Sequence, residues 1–224
     1  MDLEVRGIQK KYGRKKVLDN ISFAANKGIC VGILGENGCG KSTLLSILAG
    51  IQKADGGSFC WQGKEMLKKH STRSSVIGYV PQGTPLLQEL TALDNLKLWY
   101  ADRPAGLKRD LEEGVPAMLG VTEFLKVPVC KMSGGMKKRL SISCASAHNP
   151  QVLLLDEPSA ALDLIAKERI YNYFLDCKKK GKILLLATHD VQELSLCDVW
   201  YIIKNGKLVP FTYDGNVHTL VGKL

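Results

Sequence analysis

Residues Gly35-Glu36-Asn37-Gly38-Cys39-Gly40-Lys41-Ser42-Thr43 follow the spacing G-x-x-x-x-G-K-S, the Walker A pattern. Glycines at such spacing let successive backbone N–H groups turn inward around an anion. Lys41 adds a full positive charge for β- and γ-phosphates, and Ser42 offers a hydroxyl to Mg²⁺. The apolar run 29–34 leads into the loop as a buried strand. Residues 42–49 lead out as a helix that Gly50 can cap, so the helix dipole also points at the anion. The phosphate-contact candidates are Gly35, Asn37, Gly38, Cys39, Gly40, Lys41, Ser42 and Thr43.

Two more groups of residues belong to the same chemistry. The apolar run 152–155 ends in Asp156-Glu157-Pro158. Carboxylates at the C-terminal end of a parallel strand face the ligand crevice. Asp156 is suited to hold Mg²⁺, and Glu157 to orient an attacking water and take its proton. Run 183–187 ends in Thr188-His189-Asp190 at the same sheet edge. Spacing alone leaves His189 readable either as a γ-phosphate contact or as a surface cap. Finally, Ser133-Gly134-Gly135 opens a helix and forms a second anion site of hydroxyl and bare amides. One nucleotide does not need both anion sites on one chain. A dimer does, each chain capping the phosphates that the other holds.

These groups need an open sheet to bring them to one edge. Apolar strands at 152–155 and 183–187 alternate with helices at 162–177 and 191–196, which implies a parallel sheet covered on both faces. Residues 199–203 and 208–211 read as a hairpin across Lys204-Asn205-Gly206-Lys207. At the start, 3–8 and 17–25 read as strands of an antiparallel layer, with a turn at 10–13 and a bulge or bend at Asp19-Asn20. Short strands follow at 58–62 and 76–80. From 83 to 148 the pattern is helical. Thr91 starts a helix with Asp94 at the capping-box position. A weaker helix at 107–119 is interrupted by Gly114 and Pro116. A helical turn at 122–125 and a helix at 133–147 follow. We read 1–224 as one domain, with a core of 1–82 and 149–224 and an inserted helical subdomain of 83–148.

Composition narrows the classes. The chain has 224 residues, 45% of them hydrophobic, enough for one substantial core. No run approaches the roughly 18 apolar residues of a membrane span. The charged, strand-like start 1–6 is not that of a secretory leader. Seven cysteines, odd in number and without a C-x-x-C pair, argue against a disulfide framework or zinc site and fit a reducing compartment. The net charge of +9 is spread over clusters. Lys64, Lys68, Lys69 and Arg73 form one; 137–139 and 178–180 form others, all read as solvated faces. No aromatics interleave with them, so a platform for single-stranded nucleic acid is missing.

Taken in order from Tyr12 to His189, the motifs resemble those of the ATP-binding cassette (ABC) ATPases, the nucleotide-binding subunits of ABC transporters. The resemblance implies an α/β P-loop NTPase: a RecA-like, mostly parallel sheet with helices, an N-terminal antiparallel β layer and an inserted α-helical subdomain. It implies that Tyr12 stacks on adenine and that Gln82 is the Q-loop glutamine, a ligand of Mg²⁺ or water. Ser133, Gly134 and Gly135 correspond to the signature motif. Asp156 and Glu157 correspond to Walker B and the catalytic glutamate, 159–163 to the D-loop at the dimer interface, and His189 to the switch histidine. ATP and Mg²⁺ are then the cofactors, with Ser42, Gln82 and Asp156 as metal ligands and Lys41, Glu157 and His189 as catalytic groups.

The implied partners are a second ABC ATPase, in a homodimer or heterodimer, and separate transmembrane permease subunits. The latter would dock beside the Q-loop, on the apolar surface of 83–100; no specific nucleic acid is expected. Such a subunit is cytoplasmic and peripheral on the inner face of the cell membrane, with export favoured over import by family analogy. No regulatory domain is expected after Leu224. The sequence departs from the family at Met132 and Met136, where Leu and Gln are usual, and at Cys39, where Ala or Ser is usual. Met136 leaves Ser133 and the Gly135 amide in place; a regulatory role in an asymmetric heterodimer is the alternative. A soluble ABC ATPase of cofactor assembly, nucleic-acid or ribosome work is a further alternative. A thiol at 39, beside Lys41 and a helix N-terminus, is expected to be reactive enough to block the loop when oxidised.

Overall fold

The computed structural model describes residues 1–67, 70–160, 162–215 and 222. Its strands are β1 (Leu3–Tyr12), β2 (Lys15–Ala25), β3 (Cys30–Leu34), β4 (Gly56–Trp61), β5 (Lys64–Glu65), β6 (Ile77–Val80), β7 (Val152–Asp156), β8 (Ile183–Ala187), β9 (Val199–Lys204) and β10 (Lys207–Phe211). Its helices are α1 (Lys41–Ala49), α2 (His70–Val76), α3 (Ala92–Trp99), α4 (Pro104–Glu113), α5 (Val115–Met118), α6 (Gly134–Ala145), α7 (Leu164–Lys179) and α8 (Val191–Leu196).

A six-stranded sheet in the order β10-β9-β3-β8-β7-β6 holds the centre. All of its pairings are parallel except β9–β10. Every residue of β3, β7 and β8 is buried, as apolar runs inside a doubly covered sheet should be. The pleat divides them between two cores. Leu153, Leu155, Leu184 and Leu186 face the layer of α6 and α7. Val152, Leu154, Ile183 and Leu185 face α1 and the antiparallel layer. That layer is a four-stranded sheet, β2-β1-β4-β5, whose Leu3, Val5, Ile8, Ile21 and Phe59 fill the second core.

Helices α3 to α6 form between β6 and β7, inside the stretch 83–148. Their apolar faces share the first core with the sheet. Thr91 caps α3, its hydroxyl accepting from the Asp94 amide. Gly114 separates α4 from α5, and Pro116 stands in the first turn of α5, where its missing N–H is harmless. Gly50 adopts the left-handed conformation and closes α1 with bonds to Ile47 and Ser46. Asn205 and Gly206, at φ 51° and 75°, make the tight turn between β9 and β10.

Three expectations need correction. Residues 10–12 are not a turn: Lys10, Lys11 and Tyr12 continue β1, paired with Leu18, Lys16 and Lys15. That exposed ribbon buries little, so no apolar alternation marks it. Helix α2 was not expected, because His70-Ser71-Thr72-Arg73-Ser74-Ser75 has no apolar period. It takes Val76 from the strand read at 76–80. The basic clusters are not uniformly solvated either. Arg73 is 3% exposed and packs against Gly50, and Lys138 is 5% exposed. Lys178 donates to Leu196 O and pairs with Asp198. Lys68, Lys69 and Ala161 lie outside the described residues.

Candidate functional site

The loop between β3 and α1 is built from backbone conformations that side chains resist. Gly35, Gly38 and Gly40 sit at φ 146°, 78° and 119°. A Cβ on Gly35 would come within 2.5 Å of Cys39 Sγ, and one on Gly40 within 2.9 Å of Leu18 Cδ2. Lys41 is buried, its Nζ donating to Gly35 O at 2.6 Å and Glu36 O at 3.2 Å. The ammonium is thereby held under the loop that its charge must serve.

The parallel strands deliver the other groups to the same edge. Asp156 ends β7, 2% exposed, and accepts a hydrogen bond from the Ser42 hydroxyl. Burial pushes its carboxyl up; Glu157 adds to the rise, while Ser42, Lys41 and Lys138 oppose it. Glu157 follows at φ 46°, a left-handed conformation rare for Glu, fixed by its N–H to Ala187 O at 2.8 Å. Its Oε2 accepts from Gln82 Nε2 at 3.0 Å, and its Oε1 lies 4.0 Å from His189 Nε2. Burial and the Lys41 charge lower the His189 pKa, with Glu157 opposing.

Asn37, Gly38, Gly40, Lys41, Ser42, Thr43, Gln82, Glu157 and His189 line one polar cleft of about 450 Å³. Its lysine, hydroxyls and glycine amides are the groups that hold a phosphate chain. The oxygens of Ser42, Asp156 and Gln82 form the hard donor set that Mg²⁺ prefers, and a buried carboxylate beside a hydroxyl fits a cation.

Five candidates stand apart from this cleft. Cys39 packs under the loop against Gly35 and the second core instead of facing the phosphates, because the loop turns its side chain toward the sheet. Half-exposed Tyr12 does not line the cleft; its hydroxyl donates to Gln52 Oε1 at 2.6 Å. Ser133 and Gly134 are exposed at the start of α6, away from the cleft lining. The Ser133 hydroxyl accepts from the Met136 amide at 3.2 Å as a helix cap. Gly135 is buried against Ala166 and Asp163, where a Cβ would sit 3.3 Å from the Ala166 Cβ. Met132 and Met136, the departures in the motif, both pack into the first core.

Sequence reasoning missed two buried charges beside the site. Lys138 on α6 and Glu193 on α8 are 5% and 4% exposed. The Glu193 carboxyl is pushed up by burial, with the hydroxyls of Ser159 and Thr188 against it. The face of α6 that carries Lys138 continues through Ser141 and Ala145, three and seven residues on, and the Ala145 carbonyl abuts Gly78 of β6. Beyond Gln82 a second, mostly apolar cavity of about 560 Å³ is lined by Ile51, Tyr79, Pro81, Leu86, Trp99 and Cys144, among others.

Comparison with known proteins agrees with this geometry. The family model described as ABC transporter matches residues 18–160. The chain is 37% identical over 224 residues to the Nod factor export ATP-binding protein I of Sinorhizobium fredii, covering 98% of this chain and 64% of that protein. It is 34% identical over 211 residues to the linearmycin resistance ATP-binding protein LnrL of Bacillus subtilis, covering 92% and 68%. Among solved structures, a nucleotide-free ATP-binding cassette from an ABC transporter superposes with a TM-score of 0.83 at 26% identity, over 99% of this chain and 95% of that one. A dimeric cassette in a post-hydrolysis state with ADP and Pi superposes with a TM-score of 0.80 at 26% identity, over 92% and 96%. Fold, cleft and relatives coincide: the chain belongs to the ABC transporter family, as one of its ATP-binding cassettes.

Proposed function

We propose that this cassette hydrolyses MgATP as one half of a dimer and thereby drives separate transmembrane subunits, in the direction of export. The observation that carries the reading is the meeting of Gln82, Glu157 and His189 over the Lys41–Ser42 loop, with Ser133-Gly134-Gly135 on a different face. One chain thus presents a complete phosphate cradle and a separate, unmatched anion cap. A second copy or near-copy supplies the missing half of each.

In this reading Lys41 leaves its loop carbonyls for the β- and γ-phosphates, and the loop amides hold the remaining charge. Bound Mg²⁺, held by Ser42, Asp156 and Gln82, would neutralise phosphate charge. Glu157 orients the attacking water and accepts its proton, and His189 hydrogen-bonds the γ-phosphate. Ser133 and the Gly135 amide of the partner chain cap the same phosphate. Tyr12 swings from Gln52 to stack on adenine. Phosphate loss removes contacts shared by both chains and releases them, an order–release switch. The stretch 83–148 then acts as a subdomain carrying the cap.

The apolar cavity beside Gln82 supports docking of a permease segment there, which makes the cassette peripheral on the inner membrane face. No helix among the described residues is long and apolar enough to cross a membrane. The export names of its relatives support the direction. The decisive comparison is Glu157→Gln against Lys41→Ala. Glu157→Gln should keep ATP affinity, lose turnover by roughly 10²–10⁴ and accumulate an ATP-bound dimer on gel filtration. Lys41→Ala should lose ATP binding itself. Normal turnover in Glu157→Gln would overturn the assignment.

A further inference from the structure

Lys138 lies on α6, five residues after Ser133, and is almost fully buried. Its Nζ donates to Pro81 O and Gln82 O, both at 3.1 Å. These two residues follow β6 directly, so one cation joins the strand end at the cleft to the helix that begins with the anion cap. The Gln82 side chain in turn donates to Glu157. A continuous path of contacts therefore runs from Glu157 through Gln82 and Lys138 to α6 and Ser133.

Packing does not demand a lysine at this position. Burying an ammonium carries a desolvation penalty that a methionine of similar length avoids. What compensates here is specific: two backbone carbonyls, and the carboxylates of Asp156, Glu193 and Glu157 nearby. Asp156 accordingly has two buried cations beside it, Lys41 and Lys138. Once Lys41 turns to phosphate, Lys138 is the cation left with the carboxylates.

On the cassette reading above, we infer that Lys138 is a positioning residue that clamps the Gln82 loop to α6. Through it, the state of the chain's own phosphate site sets how Ser133 is presented to the second chain. The clamp acts on assembly and turnover and leaves nucleotide capture to the Lys41 loop.

Lys138→Met keeps the length of the side chain and removes both donors and charge. Its kcat should fall about tenfold to hundredfold, the size of one lost charge-assisted hydrogen bond. KM for ATP and the affinity of a fluorescent ATP analogue should stay within about twofold. Lys138→Arg, which can donate to both carbonyls, should recover most of the rate; a merely space-filling role would not favour Arg over Met. The assembly arm compares Glu157→Gln with the Glu157→Gln/Lys138→Met double variant by gel filtration in MgATP. A dimer in the first and a monomer in the second supports the clamp. Equal dimer in both, or a Lys138→Met loss confined to ATP affinity, overturns it. If Glu157→Gln alone forms no dimer, the dimer reading itself is overturned, and the clamp with it. Should Lys138→Met not fold, Lys138→Gln, with a shorter donor, is read by the same measurements: reduced kcat at unchanged affinity supports the clamp, and wild-type kcat overturns it.

Discussion

At the scale of single residues, the site stores strain where it needs definition. Glu157 occupies a left-handed backbone conformation at φ 46°, which for a non-glycine residue is of order 1–3 kcal/mol unfavourable. Its N–H donates to Ala187 O and its carboxylate accepts from Gln82 Nε2, and these hydrogen bonds hold it there. Gly40 is the complementary case, at φ 119° with no room for a methyl group. Gly40→Ala should therefore weaken ATP binding at least about tenfold and also lower the melting temperature by a few degrees. Titration with a fluorescent ATP analogue measures this, and unchanged affinity would show that the loop relaxes around a Cβ. Burial and the Lys41 charge lower the His189 pKa, with Glu157 opposing them.

At the scale of elements, each candidate catalytic group follows the end of a strand or begins a helix. Parallel strands β3, β8 and β7 are in register and all terminate at one edge. Their C-terminal ends thereby collect Gly35, His189 and Asp156–Glu157 without long loops, as expected for open α/β sheets. Helices α6 and α7 are locked together behind this edge. Ser146, just past α6, and Tyr173 on α7 share a hydrogen bond of 2.7 Å, fully buried. Tyr173→Phe leaves the Ser146 hydroxyl unsatisfied and should lower unfolding stability by about 1–3 kcal/mol. Urea denaturation should show this as a shifted midpoint with an unchanged slope. A wild-type midpoint would mean that water or a backbone group replaces the phenol.

At the scale of the whole molecule, the proposed Ser133 cap stands outside the lining of the phosphate cleft, and on the dimer reading association unites the two. Specific ATPase activity at saturating MgATP should therefore rise with protein concentration until the dimer is saturated. A constant specific activity over a hundredfold dilution series would place catalysis within one chain. Glu157→Gln and Lys138→Met act on opposite sides of that same equilibrium, the first trapping the closed pair and the second loosening it.

The phosphate loop, the Asp156–Glu157 pair and the helix opening at Ser133 were legible in the sequence because each works through contiguous backbone. Glycine conformations, strand ends and helix N-termini are local, so the residues that need them are neighbours in the chain. The parallel core was equally legible, since β7 and β8 are apolar along their whole length. Other features depended on distant packing. Helix α2 carries no apolar period, and the burial of Arg73 and Lys138 is set by Gly50 and by the 81–82 backbone, far away in sequence. Cys39 turned toward the core, which no spacing rule could tell. Local chemistry thus specified what the cleft does with phosphate. Tertiary structure decided which charges are buried behind it, because desolvation depends on everything that closes around a side chain and not on its neighbours along the chain.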